Sequence, residues 1–413
     1  MTERKQQALA DVVHISRQYQ RSIRVDADIG REDALTGFIC HATAGSVVGG
    51  MCKQLTSTNQ RCFTWTGPFG GGKSSLAVAL ASALHPDKSL RAKARKALQI
   101  GANPLFDQAF PTQKGWMIVP AVGRRGSVVA ELHTALRGAQ GKSIDGRSKP
   151  NGQSLISELL EEAKRRPRDG VLVVIDEMGK FLEASALGSG DDVYFFQELA
   201  EAAARSDGLL VVIGVLHQSF AQYAARLGID TRDDWTKVQG RYVDLPFVAA
   251  SDEVVELIGR AIESKVTVPW MRDASKKIAD AIRSRRPAVG KNFAKALEAC
   301  WPLHPAMAAL LGPISKRQFG QNERSTFGFL SSVEPHGFRS YLHSTTRDDV
   351  TWYRPSDYWD YLRSNLEPAI LASPDGHRWS QAVEAVDRAE AKTGDALLVS
   401  LIKNIAVIDM FRH

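Results

Sequence analysis

The sequence has 413 residues, a net charge of +7 and a pI near 9.2. Hydrophobic residues make up 44% and charged residues 24%, which excludes a wholly disordered or fibrous chain and leaves enough apolar surface for two or three cores. The longest apolar runs, at 171–175 and 209–216, are far shorter than the ~18 to 20 residues that cross a bilayer, so no membrane span is predicted. The charged first residues lack a secretory pattern, and we expect a cytoplasmic protein.

The predicted elements begin with a helical extension over residues 1–60, and a strand over Cys62–Thr66 follows. Strand and helix then alternate to about residue 250. Continuous apolar strands that alternate with helices are typical of a parallel sheet covered by helices on both faces, so the predicted fold class is α/β. The further predicted strands lie at 116–122, 171–175 and 209–216.

Helical patterns replace the strands after Pro246. They predict a helical lid over residues 251–336, and a small helical or winged-helix-like unit over 337–413. With the helical extension and an α/β core over 61–250, the sequence predicts four domains. The helices expected in the last two domains lie at 252–265, 273–283, 291–300 and 395–410.

The motif GPFGGGKS, at 67–74, follows a predicted strand and opens a predicted helix. It matches the P-loop pattern, in which glycines let backbone N–H groups face phosphate oxygens at the positive end of the next helix. Lys73 is predicted to reach the β- and γ-phosphates, and the Ser74 hydroxyl to bind Mg²⁺, so the expected ligands are ATP and magnesium. The predicted nucleotide contacts are Gly67, Pro68, Phe69, Gly70, Gly71, Gly72, Lys73, Ser74 and Ser75.

An acidic pair follows the apolar strand at 171–175 and is a Walker B candidate. The carboxyl ends of parallel strands meet at one edge of the sheet, which faces the ligand. Asp176 is therefore predicted to bind Mg²⁺ through a water molecule of its coordination sphere, and Glu177 to orient or deprotonate the attacking water. The alternative is a helix cap.

The strand at 209–216 ends in His217 and Gln218. Either side chain would lie beside the γ-phosphate, between the P-loop and Asp176, as a sensor of the nucleotide. A loop polar group, or a helix cap by Ser219, is the alternative.

Arg241 stands just before a short predicted strand in the sequence KVQGRYVDLPF. A guanidinium at this place would act in trans as an arginine finger, which neutralises charge on the nucleotide of a neighbouring subunit. The rival interpretation is a surface salt bridge.

Cysteine spacing and charge bear on metals and partners. Cys40, Cys52, Cys62 and Cys300 show no C-x-x-C spacing, so we expect buried free thiols rather than zinc ligands or disulfides. Short basic clusters allow a nucleic-acid partner, although a solvated helix face is the commoner explanation of such clusters. The clusters lie at 91–96, 124–125, 164–168 and 283–286.

These motifs together resemble the AAA+ and STAND class of P-loop ATPases, over about residues 20–330. The stretch WPLHPAMAALLGPISKRQFGQNERSTFGFLSS, from Trp301, is similar to large bacterial ATPases, several of them in anti-phage defence systems such as BREX. The resemblance implies a lid over the nucleotide, with Leu303, His304, Pro305 and Arg324 near the adenine or the phosphates. No clean second-sensor motif is present, and a helix start at Pro305 with a capped or paired Arg324 is the alternative.

The sequence therefore predicts an AAA+/STAND-like module that hydrolyses ATP and couples the nucleotide state to assembly or signalling. Its expected setting is a homo-oligomer or a larger defence complex, with nucleic acid as a further partner. The alternative is a switch or scaffold that turns ATP over slowly and recruits a separate effector. A P-loop kinase is disfavoured, because Glu177 and Arg241 suit water attack and subunit contact better.

Overall fold

A computed structural model describes most of the chain as two compact units, one formed by Ser22–Val248 and the other by Met1–Arg21 together with Ala249–His413. Three residues of the predicted site, Phe69, Gly70 and Arg324, lie outside the described residues. The four-domain division stays a prediction. The described residues are 7–16, 23–68, 71–143, 151–206, 209–224, 229–266, 268–315, 317, 326–346, 352–393 and 395–411.

The first unit, Ser22–Val248, is built on a five-stranded parallel sheet in the order β3-β4-β5-β2-β6, which confirms the predicted α/β fold class. The strand of the P-loop, β2, therefore lies between β5 and β6, and β4 lies between β3 and β5. The strands of the described residues, numbered along the chain, are β1 (Val13–Ile15), β2 (Cys62–Thr66), β3 (Met117–Val122), β4 (Val171–Asp176), β5 (Leu210–Leu216), β6 (Val243–Pro246) and β7 (Ile262–Ser264).

Helices cover both faces of this sheet because its strands are apolar on both sides. Along β4, Val171 and Val173 belong to one hydrophobic cluster, whereas Leu172 and Val174 belong to another on the opposite face. The helices of this unit are Val25–Asp28, Ala42–Ser57, Lys73–Ala83, Lys88–Ala97, Pro104–Ala109, Val128–Ala139, Gly152–Lys164, Gly179–Ala186, Tyr194–Ala204, Phe220–Ala224 and Ile229–Gln239, with a 3-10 helix at Asp33–Leu35.

The second unit is mainly helical and has its own core, in which Phe329 packs against Tyr358 and Tyr361 with ring centroids 4.9 and 5.1 Å apart. Its last helix buries Val407 and Phe411. Its helices are Ser251–Ala261, Pro269–Arg283, Phe293–Glu298, Pro305–Ile314, Thr326–Leu330, Phe338–Ser344, Pro355–Asn365, Glu367–Leu371, Gly376–Thr393 and Ala396–Phe411, with a 3-10 helix at Leu9–Asp11.

The beginning of the chain differs from the sequence prediction. Residues 7–16 do not form the predicted helix. They contain a 3-10 helix at Leu9–Asp11 followed by β1, which pairs antiparallel with β7. Val13 and Ile15 of β1 are buried, and His14 between them is exposed. The predicted helix at 252–265 ends at Ala261 for the same reason, because Ile262–Ser264 serves as the partner strand.

Two further findings concern membrane-spanning helices and disulfides. Within the described residues, no helix has both the length and the apolar character that a bilayer span requires. All four cysteines are described and are free thiols, and Cys52, Cys62 and Cys300 are buried.

Candidate nucleotide site

The P-loop follows β2 at the carboxyl edge of the sheet. The Gly67 N–H donates to the Leu216 carbonyl oxygen at 3.2 Å, which ties the start of the loop to the end of β5. Gly72 is the N-cap of the helix Lys73–Ala83 and has φ of +90°, a left-handed conformation that favours glycine. The helix therefore begins at the end of the loop, with its first N–H groups turned toward the loop.

Lys73 is buried within this loop, with 4% of its surface exposed. Its Nζ donates to the carbonyl oxygens of Gly67 at 2.5 Å and Pro68 at 2.7 Å. A buried ammonium group is costly unless it is hydrogen-bonded, and these carbonyl groups satisfy it. The loop thus holds one positive charge at the amino end of a helix.

Asp176 and Ser74, which are far apart in sequence, meet at the same edge. Asp176 is the last residue of β4, and the Ser74 Oγ donates to its Oδ1 at 3.1 Å. Burial raises the pKa of the Asp176 carboxyl, because the charged form loses its hydration, and the hydrogen bond from Ser74 opposes that rise. This contact joins the P-loop to the Walker B candidate.

Glu177 stands in a strained turn directly after β4. Its φ is +49°, which is uncommon for a residue with a side chain. A Cβ at Gly123 would lie 2.0 Å from the Glu177 carbonyl oxygen, so only glycine at 123 permits this turn. The Glu177 side chain is 32% exposed, and its Oε2 forms a short ion pair with the Lys180 Nζ.

His217 follows β5 and is therefore placed between the ends of β2 and β4. Its pKa is lowered to about 3, mainly by burial and further by the charges of Lys73 and Lys180. The imidazole is therefore neutral at pH 7. Gln218 is half-buried next to it. The sensor role of either side chain stays a prediction.

Arg241 precedes β6 and lies near the amino edge of the sheet, opposite the P-loop edge. Its Nη2 is 3.0 Å from the Glu201 Oε1, and the same Glu201 carboxylate also contacts Arg205 at 3.4 Å. The length of β6 therefore separates Arg241 from the P-loop edge of its own chain. An arginine finger at this position would have to act on a neighbouring subunit.

The residues at the site fit a magnesium ion. Mg²⁺ prefers oxygen ligands and usually keeps several waters, and the Ser74 hydroxyl and the Asp176 carboxylate are oxygen donors that already lie 3.1 Å apart. Within the described residues, no group of three or more His, Cys, Asp or Glu side chains could hold a metal ion. The phosphates and water would therefore have to complete the coordination.

The sequence analysis did not predict that the charges of Lys180 and Arg24 interact with that of Glu177. Lys180 lies only three residues after Glu177, so the two opposite charges are close in sequence, although Glu177 lies outside the helix Gly179–Ala186. Arg24 carried no such signal, because it is far away in sequence. Its hydrogen bond to Asp26 is the main cause of its raised pKa, and the charge of Glu177 makes a smaller contribution.

Outside the first unit, His304 is the N-cap of the helix Pro305–Ile314 and accepts from the Ala306 N–H at 3.1 Å. Burial, and then the charge of Arg354, lowers its pKa to about 4. The helix start that the sequence offered as an alternative is therefore present.

No protein-family model matches the sequence, and no curated protein is significantly similar to it. Among solved structures, Cdc6p from Pyrobaculum aerophilum is similar at 12% identity and a TM-score of 0.41, over 96% of this chain and 85% of that one. ORC2 from Aeropyrum pernix, in its ADPNP–ADP complexes, is 13% identical with a TM-score of 0.37, over 70% and 72%. A Walker-type ATPase of Pyrococcus abyssi is 13% identical with a TM-score of 0.34, over 96% and 100%. At these values, function has to be argued from the site.

Proposed function

We propose that the chain binds ATP with Mg²⁺ and hydrolyses it. The observation that carries this proposal is the contact between Ser74 and Asp176, 3.1 Å apart at the edge where the P-loop presents the buried Lys73. A hydroxyl, a carboxylate, an ammonium group and a helix N-terminus converge there, and together they suit a metal-bound triphosphate.

The roles of the side chains follow from their chemistry. Lys73 and the backbone N–H groups of the loop bind the β- and γ-phosphates, and Ser74 and Asp176 hold the metal. The metal, when bound, neutralises charge that develops on the phosphates. Glu177 accepts a proton from the attacking water, and the neutral His217, or Gln218, hydrogen-bonds beside the γ-phosphate.

The output that we propose is a change of assembly or conformation, as in the AAA+ and STAND class that the motifs resemble. The helical lid, the action of Arg241 in trans and a place in an anti-phage complex all belong to this proposal. Measurement of particle mass in solution, with and without a non-hydrolysable ATP analogue, tests it. We expect a larger assembly with the analogue, and an unchanged mass would contradict the coupling.

The competing proposal is a switch that binds ATP and turns it over slowly while it recruits an effector. Its support is the ion pair that occupies Glu177, the predicted catalytic carboxylate. Phosphate release over many turnovers separates the two proposals. A hydrolase releases many phosphates per chain within minutes, whereas a switch stops near one.

We also propose that the second unit binds single-stranded nucleic acid. Residues 265–295 contain nine Lys and Arg against two Asp, a net charge of +7 that equals that of the whole chain. On the helix Pro269–Arg283, Arg272, Lys276 and Lys277 are exposed. Trp270, on the same helix, is 42% exposed and contacts Trp352. Exposed cations beside an exposed ring suit a phosphate backbone with stacked bases.

A further inference from the structure

Lys180 is a second lysine at the P-loop edge of the sheet. It lies in the first turn of the helix Gly179–Ala186, and its Nζ forms a short ion pair with the Glu177 Oε2. The Lys180 side chain is 49% exposed, and that of Glu177 is 32% exposed. Ion pairs that are this accessible to water are weak, so a more highly charged anion can take the ammonium group from the carboxylate.

The backbone just before Lys180 is closely packed, whereas its side chain is half exposed. A Cβ at Gly179 would lie 2.0 Å from the Tyr223 Oη, so the segment after β5 packs directly against the start of this helix. Lys73 and Lys180 both act on the His217 imidazole, since the charge of each lowers its pKa after burial has done so. The P-loop and the turn of Glu177 adjoin β5 from its two sides, since β5 lies between β2 and β4 and the Met178 N–H donates to the Val215 carbonyl oxygen at 3.0 Å.

This arrangement creates a competition for one cation. If ATP binds as proposed above, its terminal phosphate brings negative charge toward Glu177, and the two anions repel each other. A carboxylate whose Oε2 accepts from an ammonium group also has fewer lone pairs free to accept the hydrogen of the attacking water. If the Lys180 ammonium group moves from Glu177 to the phosphate, it reduces the repulsion between the two anions and also frees the carboxylate.

We propose that Lys180 is a phosphate-binding residue whose ammonium group leaves Glu177 for the terminal phosphate of bound ATP, and that this exchange frees Glu177 for catalysis. The inference rests on the proposed ATPase function. In the step itself, the water oxygen bonds to the γ-phosphorus, the bond from that phosphorus to the bridging oxygen breaks, and ADP leaves with that oxygen. The proton of the water goes to the Glu177 carboxylate.

The test is a double-mutant cycle on nucleotide affinity, with ATP and ADP titrated calorimetrically in the presence of Mg²⁺. Lys180→Met should weaken ATP binding about tenfold, because a charged hydrogen bond is lost, and should leave ADP binding nearly unchanged. Glu177→Gln should tighten ATP binding, because the competing carboxylate is gone, but only while Lys180 is present. Lys180→Arg, which keeps the positive charge that Lys180→Met removes, should keep the wild-type preference for ATP over ADP.

Lys237→Met is the matched control. Lys237 makes an exposed ion pair with Asp234 at the same three-residue spacing, on a helix that leads to the amino edge of β6. It should change neither affinity, and urea unfolding should show that all variants are folded.

Equal losses of ATP and ADP binding in Lys180→Met, or no loss of either, would overturn the exchange. So would a Glu177→Gln effect of the same size with and without Lys180. These outcomes leave ATP binding by the wild type intact, whereas a wild type that binds neither nucleotide overturns the proposed function as well.

Discussion

At the scale of single residues, the site holds charged and polar side chains in largely buried positions, where their neighbours determine whether they are charged. Lys73 is positive and is satisfied by the carbonyl groups of its own loop, while burial raises the pKa of Asp176. Burial, and then the charges of Lys73 and Lys180, lower the pKa of His217 and keep its imidazole neutral. Metal and phosphate charge would therefore meet groups that are already placed for them.

The His217 pKa makes the stability of the first unit depend on pH. The folded value of about 3 lies below the ordinary 6.5, so the contribution of the neutral imidazole is complete above pH 6.5 and is lost as pH falls from 6.5 toward 3. At pH 5 the loss should be about 2 kcal/mol. Urea unfolding at pH 7 and pH 5 should show that His217→Gln loses less stability than the wild type. Equal losses would contradict the lowered pKa of His217.

How well a residue of the site could be predicted from sequence depended on how far its partners lie along the chain. Lys73 and Ser74 were predicted because the P-loop is local, and its glycines and lysine follow one another directly. The close approach of Gly123 to the Glu177 carbonyl oxygen was not predicted, because only the folded sheet brings β3 and β4 side by side. The roles of Glu177 and Arg241 in catalysis remain predictions.

At the scale of elements, long apolar patterns were predicted best. The strand Cys62–Thr66 was predicted with the bounds that the structure shows, and β4 and β5 were predicted within one residue. These strands are apolar on both faces, so their sequence alone marks them. β1 was wrongly predicted as helix. Three residues are too few to show the apolar and polar alternation of a strand, and the partner strand, β7, lies about 250 residues away.

The basic helix Pro269–Arg283 gives a prediction at this scale. The double variant Lys276→Glu/Lys277→Glu should weaken binding to a fluorescent single-stranded oligonucleotide at least about tenfold at low salt. It should also flatten the salt dependence by about 0.7 for each lost phosphate contact. The control, Lys53→Glu/Lys88→Glu, makes the same change of charge at exposed positions of the first unit that lie outside the basic clusters.

Equal weakening in both variants would mean that net charge, and not this helix, attracts the nucleic acid. Absence of binding at low ionic strength would remove the nucleic-acid proposal.

At the scale of the whole molecule, Arg241 tests whether activity belongs to an assembly. Arg241→Ala should bind ATP almost normally but hydrolyse it about 10³ to 10⁵ times more slowly if the residue is an arginine finger. An exposed ion pair to Glu201 contributes only about 0 to 1 kcal/mol. Arg205→Ala is the matched control, because it removes the other cation from the same carboxylate.

A mixture of Arg241→Ala with Glu177→Gln extends this test. Each variant alone should be nearly inactive, and the mixture should recover activity where one intact carboxylate meets one intact finger across an interface. Wild-type rates in Arg241→Ala, or a specific activity that does not change with protein concentration, would favour the switch.

The central claim is that this P-loop hydrolyses ATP, and phosphate release over many turnovers tests it most directly when ATP affinity is measured on the same preparations. We expect steady, Mg²⁺-dependent release by the wild type. Glu177→Gln should bind ATP yet release phosphate about 10² to 10⁴ times more slowly, since the amide cannot accept a proton. Lys73→Ala should lose binding or turnover, whereas the exposed Lys53→Ala should behave as wild type. A wild type that releases phosphate no faster than Glu177→Gln, or a folded Lys73→Ala with normal affinity and turnover, would contradict the account.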